Sequence, residues 1–264
     1  MQDLNVQTPT SILLPRGKYE GMLQILRFNW PLYAAALFAC VAILTSLAAF
    51  PVIDRVRWLG LGVVGCAGYW AFVSLIVSHW IYDRSKLNQW AWIKETLPQA
   101  PQRWVNIHVG LDESSAALRQ MFPDSESVIL DVFDSNEMTE PSIAEARSIK
   151  ANTLLSQRAD FRSLPFKAAE LDAVFLIFAA HEIRKSAPRL ALFKEAQRVL
   201  KPGGRALLVE HLRDFHNFLA FGPGCFHFHS RAVWLNVGKS SGFALELEKR
   251  ITPFVGIFLL RKPV

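Results

Sequence analysis

Two stretches of the chain carry no charged residue. One has 24 residues, from Trp30 to Ile53, and the other has 25, from Trp58 to Tyr82; Asp54-Arg55-Val56-Arg57 separates them. At about 1.5 Å per helical residue, either run spans a hydrocarbon core of roughly 30 Å. Two buried helices of a soluble bundle would show polar positions on an outer face, and Ala34 to Leu44 offers none. The pattern predicts a transmembrane hairpin, with helices over 30–53 and 58–82 and the charged tetrapeptide as its turn.

Other features of the hairpin agree. Ala35, Ala39, Ala42 and Ser46 in the first helix, and Gly60, Gly62, Gly65 and Gly68 in the second, are small enough for close helix contact. The same faces leave a homodimer open. Pro31 and Pro51 are expected near the two ends of the first helix, where proline is tolerated best. Trp30, Tyr33, Trp58, Trp80 and Tyr82 fall near the boundaries like an aromatic belt, with His79 at the interface. The apolar run starts too late for a cleaved signal peptide and a second run follows, so both are expected to be retained. Arg16, Lys18, Arg27, Arg84, Lys86 and Lys94 flank the hairpin, against Arg55 and Arg57 in its turn. That asymmetry puts both ends, including segment 1–29, in the cytoplasm of a bacterial inner membrane, with the bilayer as partner.

Residues 83–102 mix Leu87, Trp90, Trp92, Ile93 and Leu97 with charges and end in Pro98 and Pro101, which reads as an amphipathic linker along the membrane surface. From 103 to 264 the pattern changes to short apolar runs alternating with helical ones. Strands are predicted over 105–109, 128–132, 173–178 and 206–210, and helices over 115–122, 141–149 and 188–200. Such alternation implies an α/β domain with a parallel sheet covered on both faces, whose ligands sit beyond the carboxyl ends of the strands.

The segment Phe193-Lys194-Glu195-Ala196-Gln197-Arg198-Val199-Leu200-Lys201-Pro202-Gly203-Gly204-Arg205 resembles the helix-turn-strand signature of class I S-adenosylmethionine-dependent methyltransferases of the type 11 kind. Lys201 is expected to close the helix and Pro202 to stop it. Asp160-Phe161-Arg162-Ser163-Leu164-Pro165-Phe166 is similar to the family's acid-x-x-x-Leu-Pro-Phe loop. Leu171 to Val174 resembles its fourth strand, and Trp234 to Phe243 the helix and turn before its last two strands. The resemblance covers about 160 residues. It implies a Rossmann-like, seven-stranded methyltransferase sheet over 103–264 and S-adenosylmethionine as cofactor.

The glycine-rich cofactor loop departs from the family. Gly110 matches the first glycine, Asp112 and Ser114 stand at the other two, and His108 replaces the acid. By the resemblance, Asp131 or Asp134 after the second strand would hold the ribose hydroxyls. Asp160 would reach the adenine amino group, Phe161 would lie against its ring, and Ala179 would border the cofactor. Each acid alone could instead cap a loop, but their joint occurrence at strand ends favours binding.

Candidate catalytic residues follow the fourth and fifth strands. His181 is the first choice as general base, because an ordinary imidazole titrates near neutrality, with a structural histidine capping the next helix as the alternative. Glu182 is expected to pair with Arg184 or Lys185. Glu210 and His211 form a second cluster, and His229 a third candidate at the end of a Phe- and His-rich stretch, 215–229. That stretch reads as a lid over a lipid-soluble acceptor, or as simple core packing. His227 and His229 alone lack a third metal ligand, so no metal is assigned.

Composition adds little further constraint. The net charge of +6 comes without a basic run of five, so nucleic acid is not an expected partner. Cys40, Cys66 and Cys225 form neither a zinc spacing nor a disulfide framework. The expectation is methyl transfer to a hydrophobic acceptor. The altered loop leaves open a lipid-binding or assembly subunit without methyl transfer, or other cofactor chemistry on a quinone-like ring.

Overall fold

A computed structural model describes residues 17–110, 112–148 and 156–264. Arg16, Leu111 in the loop after the first strand, and Ile149 at the end of one predicted helix lie outside the described residues.

The hairpin consists of α1 (Glu20–Ala49) and α2 (Asp54–His79), both long and apolar enough to cross a membrane. Its turn is Phe50-Pro51-Val52-Ile53, not the charged tetrapeptide. Asp54 opens α2 instead, where its charge favours the helix N-terminus. Because α1 starts at Glu20, Pro31 lies inside the helix rather than near its start. Gly60 is the glycine that faces α1: a Cβ there would lie 2.9 Å from Leu47. At Gly62, Gly65 and Gly68 an added Cβ would meet nothing within 4 Å, so these glycines do not mediate contact within the hairpin. Tyr33 Oη and Ser74 Oγ join the two helices at 2.9 Å.

Residues after α2 do not form a free linker. A π-helical turn, Trp80–Arg84, a 3-10 turn and the short α3 (Trp92–Thr96) bring Ile81, Leu87, Trp92, Ile93 and Leu97 into the core of the following domain. They cover one face of its sheet, so this stretch belongs to the domain by packing.

The sheet has seven strands in the order β3-β2-β1-β4-β5-β7-β6. β1 (Arg103–His108), β2 (Glu126–Asp131), β3 (Ser156–Arg158), β4 (Leu171–Ile177) and β5 (Leu200–His211) are parallel. β6 (Ala244–Thr252) and β7 (Val255–Arg261) close the edge antiparallel. Side chains alternate across it: Val105, Ile107, Val174 and Leu176 enter one core, Trp104, Ala173, Phe175 and Ile177 the other. Burial of such a side chain is worth about 1.5–3 kcal/mol. α4 (Ser115–Met121), α5 (Pro141–Ser148), α6 (Ser186–Val199), α7 (Phe215–Phe221) and α8 (Arg231–Ser240) complete the fold.

α6 ends at Val199, before Lys201, because Leu200 already pairs with Leu171 in the sheet. Lys201 reaches Asp172 at 2.7 Å instead. The strand order reverses between β1 and β4, and the crevice opens there at the strands' carboxyl ends.

Candidate active site

A cavity of about 1760 Å³ extends from the faces of α1 and α2 to the ends of β1, β4 and β5. Ile25, Phe28, Trp58 and Trp70 line its hairpin end, and His108, Phe178, His181 and His211 its domain end. Gly222, at φ 54, joins the two: a Cβ there would lie 2.5 Å from Trp70 of α2. Only a glycine suits both that backbone and that approach.

On the β1 side, His108 is buried, and neither ring nitrogen makes a well-formed hydrogen bond. Burial pulls its pKa below the ordinary value, against Asp112 and Asp131, so the ring is neutral at pH 7. Asp112 Oδ1 accepts from the backbone N–H groups of Ser114 and Ser115 at 3.2 and 3.0 Å and so caps α4. Asn106 Nδ2 donates to the Ser114 hydroxyl at 2.9 Å. Gly110 is needed because a Cβ would lie 2.7 Å from Cγ of Arg147. Arg147 also donates to both oxygens of Asp131, at 3.0 and 2.9 Å. Burial would raise the pKa of Asp131, but these bonds hold it below the usual range.

Of the two acids considered for β2, Asp131 ends the strand, in register with His108. Asp134 lies beyond it and pairs with Arg162 at 2.9 Å. Asp160 shares that guanidinium at 3.4 Å and accepts from the Arg162 backbone N–H. Phe161 is fully buried, and Arg162 lies 4.1 Å from its ring centroid. Its ring is a core side chain, which corrects the expectation that it would face a ligand. Ala179 is buried beside the turn after β4, and neither it nor Asp131, Asp134, Asp160 or Phe161 lines the cavity.

Histidines of opposite electrostatic character gather on the β4–β5 side. His181 Nδ1 donates to Glu210 Oε2 at 2.7 Å, and its Nε2 lies 3.3 Å from Glu182 Oε1. Burial opposes charging this ring, but Glu210 and Glu182 outweigh it and push the pKa up to about 10. His181 is thus an imidazolium at neutral pH and not the free base its type suggests. Glu210 is fully buried and also accepts from the backbone of Ala180 and His181 at 2.9 and 3.2 Å, so it holds the turn and the ring rather than facing an acceptor. Glu182 pairs with His181, not with Arg184 or Lys185, which reach Glu140 and Glu137.

His211 stacks between Phe178 and Phe228, centroids 5.3 and 4.9 Å away. Its Nδ1 lies 3.2 Å from the Phe254 carbonyl, which can only accept. Burial and the charge on His181 lower its pKa to about 3, so the ring is neutral with the proton on Nδ1. Nε2 therefore accepts from the Tyr82 hydroxyl at 2.6 Å. His229 lies apart from the cavity, where Nε2 accepts from Arg189 at 2.8 Å. Burial and that guanidinium hold its pKa near 3, which makes it a structural acceptor and removes it from the catalytic candidates.

The lid stretch divides its apolar residues. Phe221 and Phe228 turn into the cavity, Phe218 packs on Trp70, and Phe215, Leu219 and Phe226 are exposed. Tyr82, Arg147 and Phe178 were absent from the sequence-derived site. Tyr82 lies 129 positions from its partner His211. Phe178 has φ 52, a left-handed conformation that costs roughly 1–2 kcal/mol in a non-glycine residue, and nothing in the local sequence signals it.

Comparison with known proteins agrees with this geometry. Residues 107–208 match the model of a methyltransferase domain. The chain is 30% identical over 115 residues to the ubiquinone/menaquinone biosynthesis C-methyltransferase UbiE of Dinoroseobacter shibae, covering 43% of this chain and 44% of that protein. It is 28% identical over 146 residues to the UbiE of Syntrophotalea carbinolica, covering 55% and 58%. The chain thus spans about half the length of the curated relatives it matches. Among solved structures, the pyocyanin biosynthetic protein PhzM superposes with a TM-score of 0.53 at 19% identity, over 97% of this chain and 76% of that one. A methyltransferase from Aquifex aeolicus gives 0.50 at 15% identity, over 64% and 86%. Both likenesses are of fold. The segment that matches the methyltransferase-domain model runs from the end of β1 into β5, through the strand ends that build the cavity, so the similarity to methyltransferases falls on the part of the chain that forms the crevice.

Proposed function

We propose that the protein transfers a methyl group from S-adenosylmethionine to a lipid-soluble acceptor with a quinol-like ring, presented from the bilayer. The observation that carries this reading is the continuity of the cavity between the hairpin's apolar faces and the β1/β4 crevice. In this reading the hairpin anchors the protein in a bacterial inner membrane with the domain on the cytoplasmic side. A prenyl-type tail lies along the hairpin while its ring reaches His181 and Tyr82.

The residues at the β1 and β2 ends fit the cofactor's nucleoside. His108 offers two buried nitrogens without well-formed bonds, Gly110 presents bare backbone, and Asp131 places a carboxylate at the strand end. Asp131 is available to ribose hydroxyls only when Arg147 turns away. When bound, the cofactor supplies an electrophilic methyl group on a sulfonium, and the acceptor atom that takes it must be electron-rich. His181, cationic and 13% exposed, favours negative charge on an acceptor oxygen. The Tyr82 hydroxyl, whose proton is held by neutral His211 Nε2, keeps its oxygen free to accept a hydrogen bond from the acceptor's hydroxyl and so orients the ring toward the methyl group. Phe178, Phe221 and Phe228 keep water from the ring.

The test is incubation of detergent-purified protein with S-adenosylmethionine and prenylated or tail-less naphthoquinols. A product heavier by one CH2 unit, formed faster from the prenylated substrate, is expected. No product from either, with cofactor binding intact, counts against the acceptor class. The Arg147–Asp131 pair favours a second reading, a lipid-binding subunit without methyl transfer. Calorimetric titration with S-adenosylmethionine decides: binding weakened by Asp131→Ala supports the enzyme, and absence of binding supports the subunit.

A further inference from the structure

The cavity's domain end gathers ligand-type side chains from two stretches of chain. His181 and Glu182 come from the turn after β4, and His227 from the end of the lid; one nitrogen or oxygen of each lies within 4.8 Å of the others. All three line the cavity. The His181 and His227 rings are 5.2 Å apart and nearly perpendicular, at 79°. Glu182 is 8% exposed, and its Oε2 is buried without a hydrogen-bond partner. An unpartnered buried carboxylate oxygen is costly and calls for a missing ligand.

We propose that His181, Glu182 and His227 bind one divalent transition-metal ion at the inner end of the cavity, with its remaining coordination positions open to an oxygen of the acceptor. Two imidazoles and one carboxylate form a borderline donor set suited to zinc, cobalt or manganese, and three protein ligands leave room for a further one. Glu210 completes the arrangement from behind: its bond to His181 Nδ1 orients the ring so that Nε2 points toward Glu182. Metal binding displaces the Nε2 proton of His181 to solvent, and the ion takes over the positive charge the imidazolium held. Arg184, the nearby cation, is engaged by Glu140 and by the backbone carbonyls of Phe226 and His227. The ion's role toward an acceptor oxygen rests on the methyl-transfer reading; the site itself does not.

The experiment uses full-length protein, purified in detergent without a histidine tag, stripped with chelator and titrated with Co²⁺ in the absence of cofactor and acceptor. One equivalent of ion, giving visible d–d absorption, is expected. Glu182→Gln and His227→Ala are each expected to weaken binding at least tenfold, while His216→Ala, on the exposed face of α7, leaves it unchanged. Near-ultraviolet circular dichroism confirms that each variant is folded. Absence of a d–d band in the folded wild-type protein, or binding indifferent to both substitutions, overturns the proposal. Since no methyl transfer is read, failure here is separate from failure of the proposed function.

Discussion

The two halves of the site solve different problems with similar residue types. At the β1 and β2 ends, acids meet arginines: Asp131 with Arg147, and Asp134 and Asp160 with Arg162, partly open to water. At the β4 and β5 ends, acids meet histidines inside the protein, and burial drives neighbouring rings in opposite directions. His181 rises to about 10 between two carboxylates, while His211 and His227 fall to about 3 and 4 beside it. A charge made beside one buried cation is costly, so only one of these rings is protonated. The contrast teaches that residue type places a candidate at a strand end, while the surrounding dielectric and partners decide its protonation.

The largest expected effect of breaking this contrast is that of Glu210→Ala. Removing a fully buried carboxylate strands the His181 imidazolium and two backbone donors, at a cost of about 3–5 kcal/mol in thermal unfolding. Glu210→Gln keeps an acceptor and should cost less. Next, Tyr82→Phe removes the hydroxyl that His211 holds in place to orient the acceptor; the turnover number is expected to fall about 100-fold with little change in KM, in steady-state assays with a prenylated quinol.

Stability should also depend on pH on both sides of neutrality. His211, His227 and His229 have folded pKa values below the ordinary 6.5, so their contribution is present above pH 6.5 and lost as pH falls toward 4 and 3. His181 has the opposite sign: its contribution is full below pH 6.5 and is lost as pH rises toward about 10. The melting temperature in detergent should peak near pH 6.5–7 and fall by a few degrees toward pH 5 and pH 9. A flat profile would show that the rings do not differ in charge. The smallest effect is expected on the arginine side. Arg147→Ala frees Asp131 and should tighten S-adenosylmethionine binding about fivefold by calorimetry, whereas weaker binding would make Arg147 part of the cofactor site.

Much of the fold was legible because its signals are local. Uncharged runs longer than a bilayer, apolar runs alternating with helical ones, and the Lys201-Pro202-Gly203-Gly204 turn each read within a few residues. Boundaries failed where a neighbour intervened. Leu200 left its expected helix for a pairing with Leu171, and residues 83–102 became a cover for the sheet because their apolar side chains found a core to enter. His108, Gly110, Asp112 and Ser114 line the cavity, since the loop after β1 opens onto the crevice in this topology.

By itself, the sequence determined the apolar hairpin, the α/β order and the set of ionisable residues at strand ends, because hydrophobic period and turn chemistry act over short separations. Only the tertiary structure decided that His181 is charged and His211 neutral, that His229 serves Arg189, and that Tyr82 belongs to the site. Those outcomes depend on burial and on partners far apart in the chain, and no local pattern encodes either.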